Sequence, residues 1–179
     1  LHLSLRRQRQ MCIRDRRSGK GPDPNSLVKE MDRQLEQLKS RRALRSKIDQ
    51  AWIVLDRDNS SVEQLKVVFE WAESRGDRGV GYSCPQFEYW LLLHFEDAKG
   101  VSTQQDCLTR INQHIPRYQK GNSGMLRFSR DQIQSAVERA DKRLPEVPKS
   151  IQELHDKMGQ TTSLTTLHPL VTDLLKNTR

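Results

Sequence analysis

Residues 52–58 read Trp52-Ile53-Val54-Leu55-Asp56-Arg57-Asp58, an apolar run that ends in two aspartates separated by one residue. A continuous apolar run of this length predicts a strand that is buried on both faces, as parallel sheets require. The two aspartates then fall at the carboxyl edge of the sheet, where open α/β sheets place their ligands. Neighbouring carboxylates repel each other unless a cation lies between them, and oxygen ligands suit Mg²⁺ or Mn²⁺. The stretch therefore predicts a metal site formed by Asp56 and Asp58.

A second informative stretch is found at residues 84–95, Cys-Pro-Gln-Phe-Glu-Tyr-Trp-Leu-Leu-Leu-His-Phe. It predicts a helix over residues 85–95, with proline in the first turn and Ser83 or Cys84 as the cap. Because a short strand is predicted just before it, the start of this helix would lie at the same sheet edge as the aspartates. Glu88 would then face the metal site, or it would only complement the helix dipole.

The order of these motifs resembles the RloB-like family. The shared order is the Trp-Ile-Val-Leu-Asp-Arg-Asp strand, an amphipathic helix, a short strand, and Pro-Gln-Phe-Glu-Tyr-Trp-Leu-Leu-Leu-His-Phe-Glu at residues 85–96. The family pattern begins Asn-Pro-Cys-Phe-Glu, so Cys84 stands in place of the asparagine. The resemblance runs from about Gly21 to about Val171.

That resemblance implies a Toprim-like, metal-dependent nuclease of a phage-defence, abortive-infection system, often encoded beside an ATPase. It implies that Asp56 and Asp58 are the Asp-x-Asp ligands of a Mg²⁺ or Mn²⁺ ion. Glu88 and His94 match positions that the family motif fixes, and we expect both in the catalytic site. RNA or DNA would be the substrate.

Three polar residues have structural alternatives to a functional role. Lys120, in a basic loop that contains glycine, would hold a nucleic-acid phosphate together with Arg117, or it is a solvated loop lysine. His94 shares a helix face with Trp90, so it is either catalytic or a buried histidine packed on that ring. His168 lies near a predicted helix start and is either a general acid or a capping and packing residue.

Residues 1–16 match a translated sequencing adapter. Residues 6–16, Arg-Arg-Gln-Arg-Gln-Met-Cys-Ile-Arg-Asp-Arg, are the translation of a transposase adapter used to prepare sequencing libraries. A basic leader or targeting peptide is the alternative, but a chance match over this length is too improbable to compete. We therefore expect residues 1–16 to be disordered and derived from the end of a metagenomic contig, and we exclude them from fold arguments.

The Toprim resemblance also implies an earlier strand that ends in a glutamate, the general acid/base. This strand would precede Gly21, where residues 17–22, Arg-Ser-Gly-Lys-Gly-Pro, have loop composition. We therefore expect the first strand and its glutamate to be missing, and the chain to be nearly inactive as it stands.

Composition is compatible with one basic domain and with no membrane span. The chain has 31 Lys and Arg against 23 Asp and Glu, net +8, but residues 17–179 alone have 26 against 22, net +4. A net charge of this size is compatible with nucleic-acid binding but does not predict it. Mean hydropathy is −0.83, and no run approaches the roughly 20 apolar residues of a membrane helix. Neither Cys84 nor Cys107 lies in a CxxC or CxxH arrangement, so a zinc site or a disulfide framework is not expected. Two scattered thiols are consistent with a reducing cytoplasm.

Periodicity predicts an α/β fold with a helical second half. Strands are expected over residues 51–55 and 79–83, adjacent, parallel and joined by a right-handed crossover. Helices are expected over residues 26–46, 62–74, 85–95, 103–115, 130–144, 151–158 and 166–176. Residues 17–179 would then form a single Toprim-like domain, with its sheet part at about 25–98 and its helical part at about 99–179.

Three classes of function suit these motifs. The leading one is a Mg²⁺-dependent phosphodiesterase, in which a metal on Asp56 and Asp58 polarises a phosphoryl oxygen. The second is a phosphatase resembling haloacid dehalogenases, with Asp56 as nucleophile and Asp58 as acid/base. That family expects Thr or Val where Ser60 stands, and a later aspartate pair that this chain lacks. The third is a non-catalytic partner of an ATPase, or a gene fragment.

Overall fold

The computed structural model describes residues 23–44, 49–57, 61–120 and 126–176. These residues form seven helices and a three-stranded mixed sheet that does not close, so the α/β class is confirmed. In chain order the elements are α1 (Pro24–Ser40), β1 (Ala51–Asp56), α2 (Val62–Glu73), β2 (Arg78–Cys84), α3 (Glu88–Leu92), α4 (Gln104–His114), α5 (Arg130–Arg143), α6 (Ile151–Gln160), β3 (Leu164–Thr165) and α7 (His168–Lys176). Residues 1–16, which the sequence assigns to an adapter, lie outside the described ranges.

β1 and β2 form the predicted parallel pair. Ala51 lies opposite Arg78, and Asp56 lies opposite Ser83. The crossover helix α2 is capped by Ser61, whose side chain accepts from the backbone of Gln64, the third helical residue, in a capping box. Because parallel strands end at the same edge, Asp56 and the chain that leaves β2 emerge side by side.

The third strand, β3, was not predicted. It pairs antiparallel with the last two residues of β2, which is too short a stretch to leave a periodic pattern. The pairing is extended by a side chain, since Thr166 Oγ1 accepts from Tyr82 N at 2.8 Å and donates to Val80 O at 3.1 Å. β3 thus holds the carboxyl end of β2, where the candidate site begins.

One face of the sheet packs on helices α1, α2 and α6. Ile53, Val80 and Tyr82 project from this face into a buried core that also contains Met31 of α1 and Leu154 of α6. These three side chains share one face because every second residue of a strand points to the same side of the sheet. This core fixes the positions of β1 and β2.

On the opposite face of the sheet, β2 has two glycines, Gly79 and Gly81. A Cβ at Gly79 would lie 2.6 Å from the Trp52 indole, and one at Gly81 would lie 2.6 Å from Leu167 Cδ2. No real Cβ sits so close to another heavy atom, so glycine is what allows these two side chains to lie flat on the sheet. The helices that follow β2 in the chain can therefore approach this face closely.

The helix after β2 is shorter than predicted. α3 begins at Glu88, follows a cis Cys84–Pro85 peptide, and has no side-chain cap from Phe87. The prediction of a helix that starts at Pro85 and is capped by Ser83 or Cys84 was wrong, because Ser83 and Cys84 belong to β2 and pair with β3. The helix also ends at Leu92, before the predicted residue 95, and turns follow it.

The other helices lie close to their predicted positions. α1 ends at Ser40 instead of residue 46, and residues 45–48 are outside the described ranges. α4 and α5 are capped by Thr103 and Ser129, each in a capping box. These helices and α7 enclose α3 in a second core, in which the predicted apolar run 90–93 is buried.

We predict that Gly79→Ala destabilises the fold by about 1–3 kcal/mol, because the added methyl group must displace the Trp52 indole. The measurement is urea unfolding followed by tryptophan fluorescence. Gly76→Ala is the matched control, since a Cβ there meets no atom within 4 Å, and it should change stability by less than about 0.5 kcal/mol. Equal stabilities for the two variants would contradict the close packing described for Gly79.

Candidate active site at the carboxyl edge of the sheet

Two acidic residues lie at the carboxyl edge of the parallel strand pair. Asp56 is the last residue of β1 and Glu88 is the first residue of α3. The backbone N–H of Arg57 donates to Ser83 O at 2.8 Å, so the ladder extends one step beyond Asp56. Glu88 is 2% exposed. The second predicted metal ligand, Asp58, lies outside the described residues.

Tyr118 is hydrogen-bonded to Glu88. Its hydroxyl donates to Glu88 Oε1 at 2.8 Å. Burial, then the nearby Glu88 carboxylate, and then the charge of Asp56 raise the pKa of the Tyr118 hydroxyl. Tyr118 therefore contacts one of the two acidic residues directly, and it was not among the site residues predicted from the sequence.

The second oxygen of Glu88 is buried without a hydrogen-bond partner among the described residues. Leaving a buried acceptor unsatisfied costs about 1–3 kcal/mol, and more for a charged group. A bound cation would remove this cost, and carboxylate oxygens are the donors that Mg²⁺ and Mn²⁺ prefer. The residues present therefore fit a divalent metal ion.

The described part of the site offers only a small ligand set. Within the described ranges there is no group of three or more His, Cys, Asp or Glu side chains that could hold a metal ion. Asp56 and Glu88 would supply two carboxylates; Asp58, the other ligand predicted from the sequence, is outside the described residues. Water would complete the coordination shell, as it commonly does for Mg²⁺.

Lys120 is held at the same edge by a buried glutamine. Gln86 is 1% exposed, and its Nε2 donates to Gln104 O at 2.9 Å, at the start of α4. Its Oε1 accepts from Lys120 Nζ at 3.1 Å. An ammonium group has three donors, so this contact uses one of them. Arg117 lies in the same loop, is exposed, and has a left-handed backbone with φ of 63°.

His94 and His168 are buried in the helical part of the molecule. His94 is 5% exposed, its Nδ1 lies 3.1 Å from Trp90 O, and its ring stacks on Phe128 at 4.0 Å between centroids. Burial lowers the pKa of His94 to about 4. Burial also lowers the pKa of His168, whose Nε2 is 3.9 Å from Asp141 Oδ1. Both histidines are therefore buried; a catalytic role for His94 and a general-acid role for His168 stay predictions beside the packing alternatives.

Fold and site together define an α/β protein with an acidic site at the carboxyl edge of a parallel strand pair. No helix of the described residues is long and apolar enough to cross a membrane. The chain belongs to the family of RloB-like proteins, whose family model matches residues 3–174. The matched range includes residues 3–16, which the sequence analysis assigns to an adapter. No curated protein and no solved structure matches the chain.

The buried histidines predict a pH dependence of stability. The pKa of His94 falls from 6.5 to about 4 on folding. The unfolded state therefore binds more protons between these values, and stability is complete above pH 6.5 and is lost as pH falls. We expect unfolding free energy to be lower at pH 5 than at pH 7.5 by about 2 kcal/mol from His94, with a further loss in the same direction from His168.

Urea unfolding at the two pH values measures this difference. His94→Gln should reduce it, because the titrating group is gone. His155→Gln, which changes an exposed histidine of α6, should leave the difference as it is in the wild type. A wild-type stability that does not change between pH 7.5 and pH 5 would contradict the buried, neutral state of His94.

Proposed function

We propose that this RloB-like protein is a Mg²⁺- or Mn²⁺-dependent phosphodiesterase of the Toprim-like type, which cleaves RNA or DNA in a phage-defence system together with an ATPase encoded nearby. Family membership supports the proposal. The single observation that carries it is the buried Glu88 carboxylate, one oxygen of which has no hydrogen-bond partner among the described residues, at the sheet edge where β1 ends in Asp56. A site of this kind suits a divalent cation better than it suits a purely structural role.

The metal ion would polarise a phosphoryl oxygen and stabilise the charge that develops as the phosphodiester breaks. Asp56 and Glu88 would hold it, with Asp58 as a third ligand. Lys120 would bind a phosphate oxygen of the nucleic acid through the N–H donors that Gln86 does not use. Arg117 would attract the neighbouring phosphates of the nucleic-acid backbone. The Tyr118 hydroxyl, whose pKa is raised further by burial and by the Glu88 carboxylate, donates its proton to the hydrogen bond with Glu88.

We predict that Asp56→Asn and Glu88→Gln each weaken Mn²⁺ binding at least about tenfold, since each removes a charged ligand while keeping the side-chain shape. Electron paramagnetic resonance of free Mn²⁺ measures the affinity. Glu70→Gln is the control: Glu70 is exposed on α2, and its carboxylate lies 3.6 Å from Lys66. The control should bind Mn²⁺ as the wild type does.

Cleavage is then tested on single-stranded and duplex RNA and DNA, in Mg²⁺ or in chelator, with these proteins and with versions that carry an added N-terminal strand ending in a glutamate. We expect little cleavage without the added strand, because a general acid/base group typically contributes about 10²–10⁴-fold, and metal-dependent cleavage with it, which Asp56→Asn should abolish. Wild-type Mn²⁺ affinity in both carboxylate variants, or cleavage that persists in chelator, would overturn the proposal. Because binding and cleavage are measured separately, an extended protein that binds the metal without cutting would point to the non-catalytic alternative.

A further inference from the structure

Two polar contacts dock one short loop on the start of α3. Tyr118 O–H donates to Glu88 Oε1 at 2.8 Å, and Lys120 Nζ donates to Gln86 Oε1 at 3.1 Å. Residues 118 and 120 of the loop thus meet residues 88 and 86 of the chain that follows β2. The two contacts have different chemistry, because only the tyrosine touches a carboxylate.

Glu88 is an unusual partner for a loop tyrosine. Its side chain is almost fully buried, one oxygen accepts the phenol, and the other oxygen is without a partner among the described residues. A contact that only fastened the loop would need no buried carboxylate, since a buried amide does the same for Lys120. A carboxylate with one oxygen held and the other left unsatisfied is instead what an oriented metal ligand requires.

We infer that Tyr118 is a positioning residue of the acidic site: its hydroxyl binds Glu88 Oε1 and thereby fixes Glu88 Oε2 as the oxygen that receives the divalent cation. This role rests on the proposed function, because it assumes that the cation binds at Glu88. It assigns to Tyr118 no contact with the metal or with the substrate. From this loop, the site residues predicted from the sequence are Lys120 and Arg117 and not Tyr118.

The loop is held in place without the Tyr118 hydroxyl. The backbone N–H of Tyr118 donates to Asn112 Oδ1 at 3.1 Å and to Ile115 O at 3.1 Å. The contact between Lys120 and Gln86 provides a further attachment. Tyr118→Phe therefore removes the orienting hydrogen bond while the loop and the aromatic ring stay where they are. This makes the variant a direct test of orientation.

The test measures Mn²⁺ affinity in the full chain by electron paramagnetic resonance, without nucleic acid. Loss of an outer hydrogen bond to a metal ligand typically weakens metal affinity 10–100-fold, and we expect a loss of about this size for Tyr118→Phe. A second readout is the rise in melting temperature that Mn²⁺ produces, which follows the affinity and should shrink in the same variant. The melting temperature without metal should change far less.

Two controls separate orientation from loop docking. Lys120→Gln removes the other loop contact and should bind Mn²⁺ as tightly as the wild type or more tightly, because a positive charge near the carboxylates is lost. Tyr82→Phe removes a buried hydroxyl whose contact is Met158 Sδ at 3.7 Å, and it should leave Mn²⁺ affinity unchanged.

Wild-type affinity in Tyr118→Phe would overturn the positioning role alone and leave the metal site standing. An equal loss in Tyr118→Phe and Lys120→Gln would also overturn it, because docking of the loop would then be the cause. No Mn²⁺ binding by the wild type at millimolar concentration would overturn the proposed function and this role with it.

Discussion

Backbone hydrogen bonds between β1 and β2 bring Asp56 level with Ser83, and the rest of the candidate site is built outward from this register. A shift of one residue would turn Asp56 to the other face of the sheet and replace Ile53 in the core by a neighbour. The register is held from both sides, by the core with α1, α2 and α6 and by the close contact between Trp52 and Gly79. The position of the Asp56 carboxylate therefore depends on the apolar packing of Ile53 and Trp52, earlier in the same strand.

Stability and site chemistry oppose each other at the start of α3. A glutamate and a glutamine are buried where apolar side chains would pack at lower cost. The glutamine recovers this cost through its two hydrogen bonds, with Gln104 and Lys120. Glu88 recovers it only in part, since Tyr118 satisfies one oxygen and the other stays buried without a partner among the described residues. A buried group left unsatisfied in this way needs an explanation, and a bound ion is one that suits a carboxylate.

Patterns within short stretches of the sequence predict β1 and most of the helices. The apolar run before Asp56 predicts β1, and the caps and periodicity predict most helices, because both depend on residues within one or two turns. β3 could not be predicted, because a strand of two residues is too short to show an alternating pattern. Its pairing with β2 keeps Ser83 and Cys84 in the strand, so that neither caps the following helix as predicted. Asp56 and Glu88 could be placed at one edge from the order of elements alone. Tyr118 could not, since its contact with Glu88 spans 30 positions in the chain.

In the proposed site, Asp56 and Glu88 share one divalent cation at the carboxyl edge of the parallel pair. Anomalous diffraction from crystals soaked in Mn²⁺ locates such an ion without assuming its ligands. We expect one strong manganese peak within about 2.5 Å of a carboxylate oxygen of each residue, with Glu88 contributing Oε2. The absence of a peak there, or a peak that only surface carboxylates contact, would show that the two residues do not share an ion.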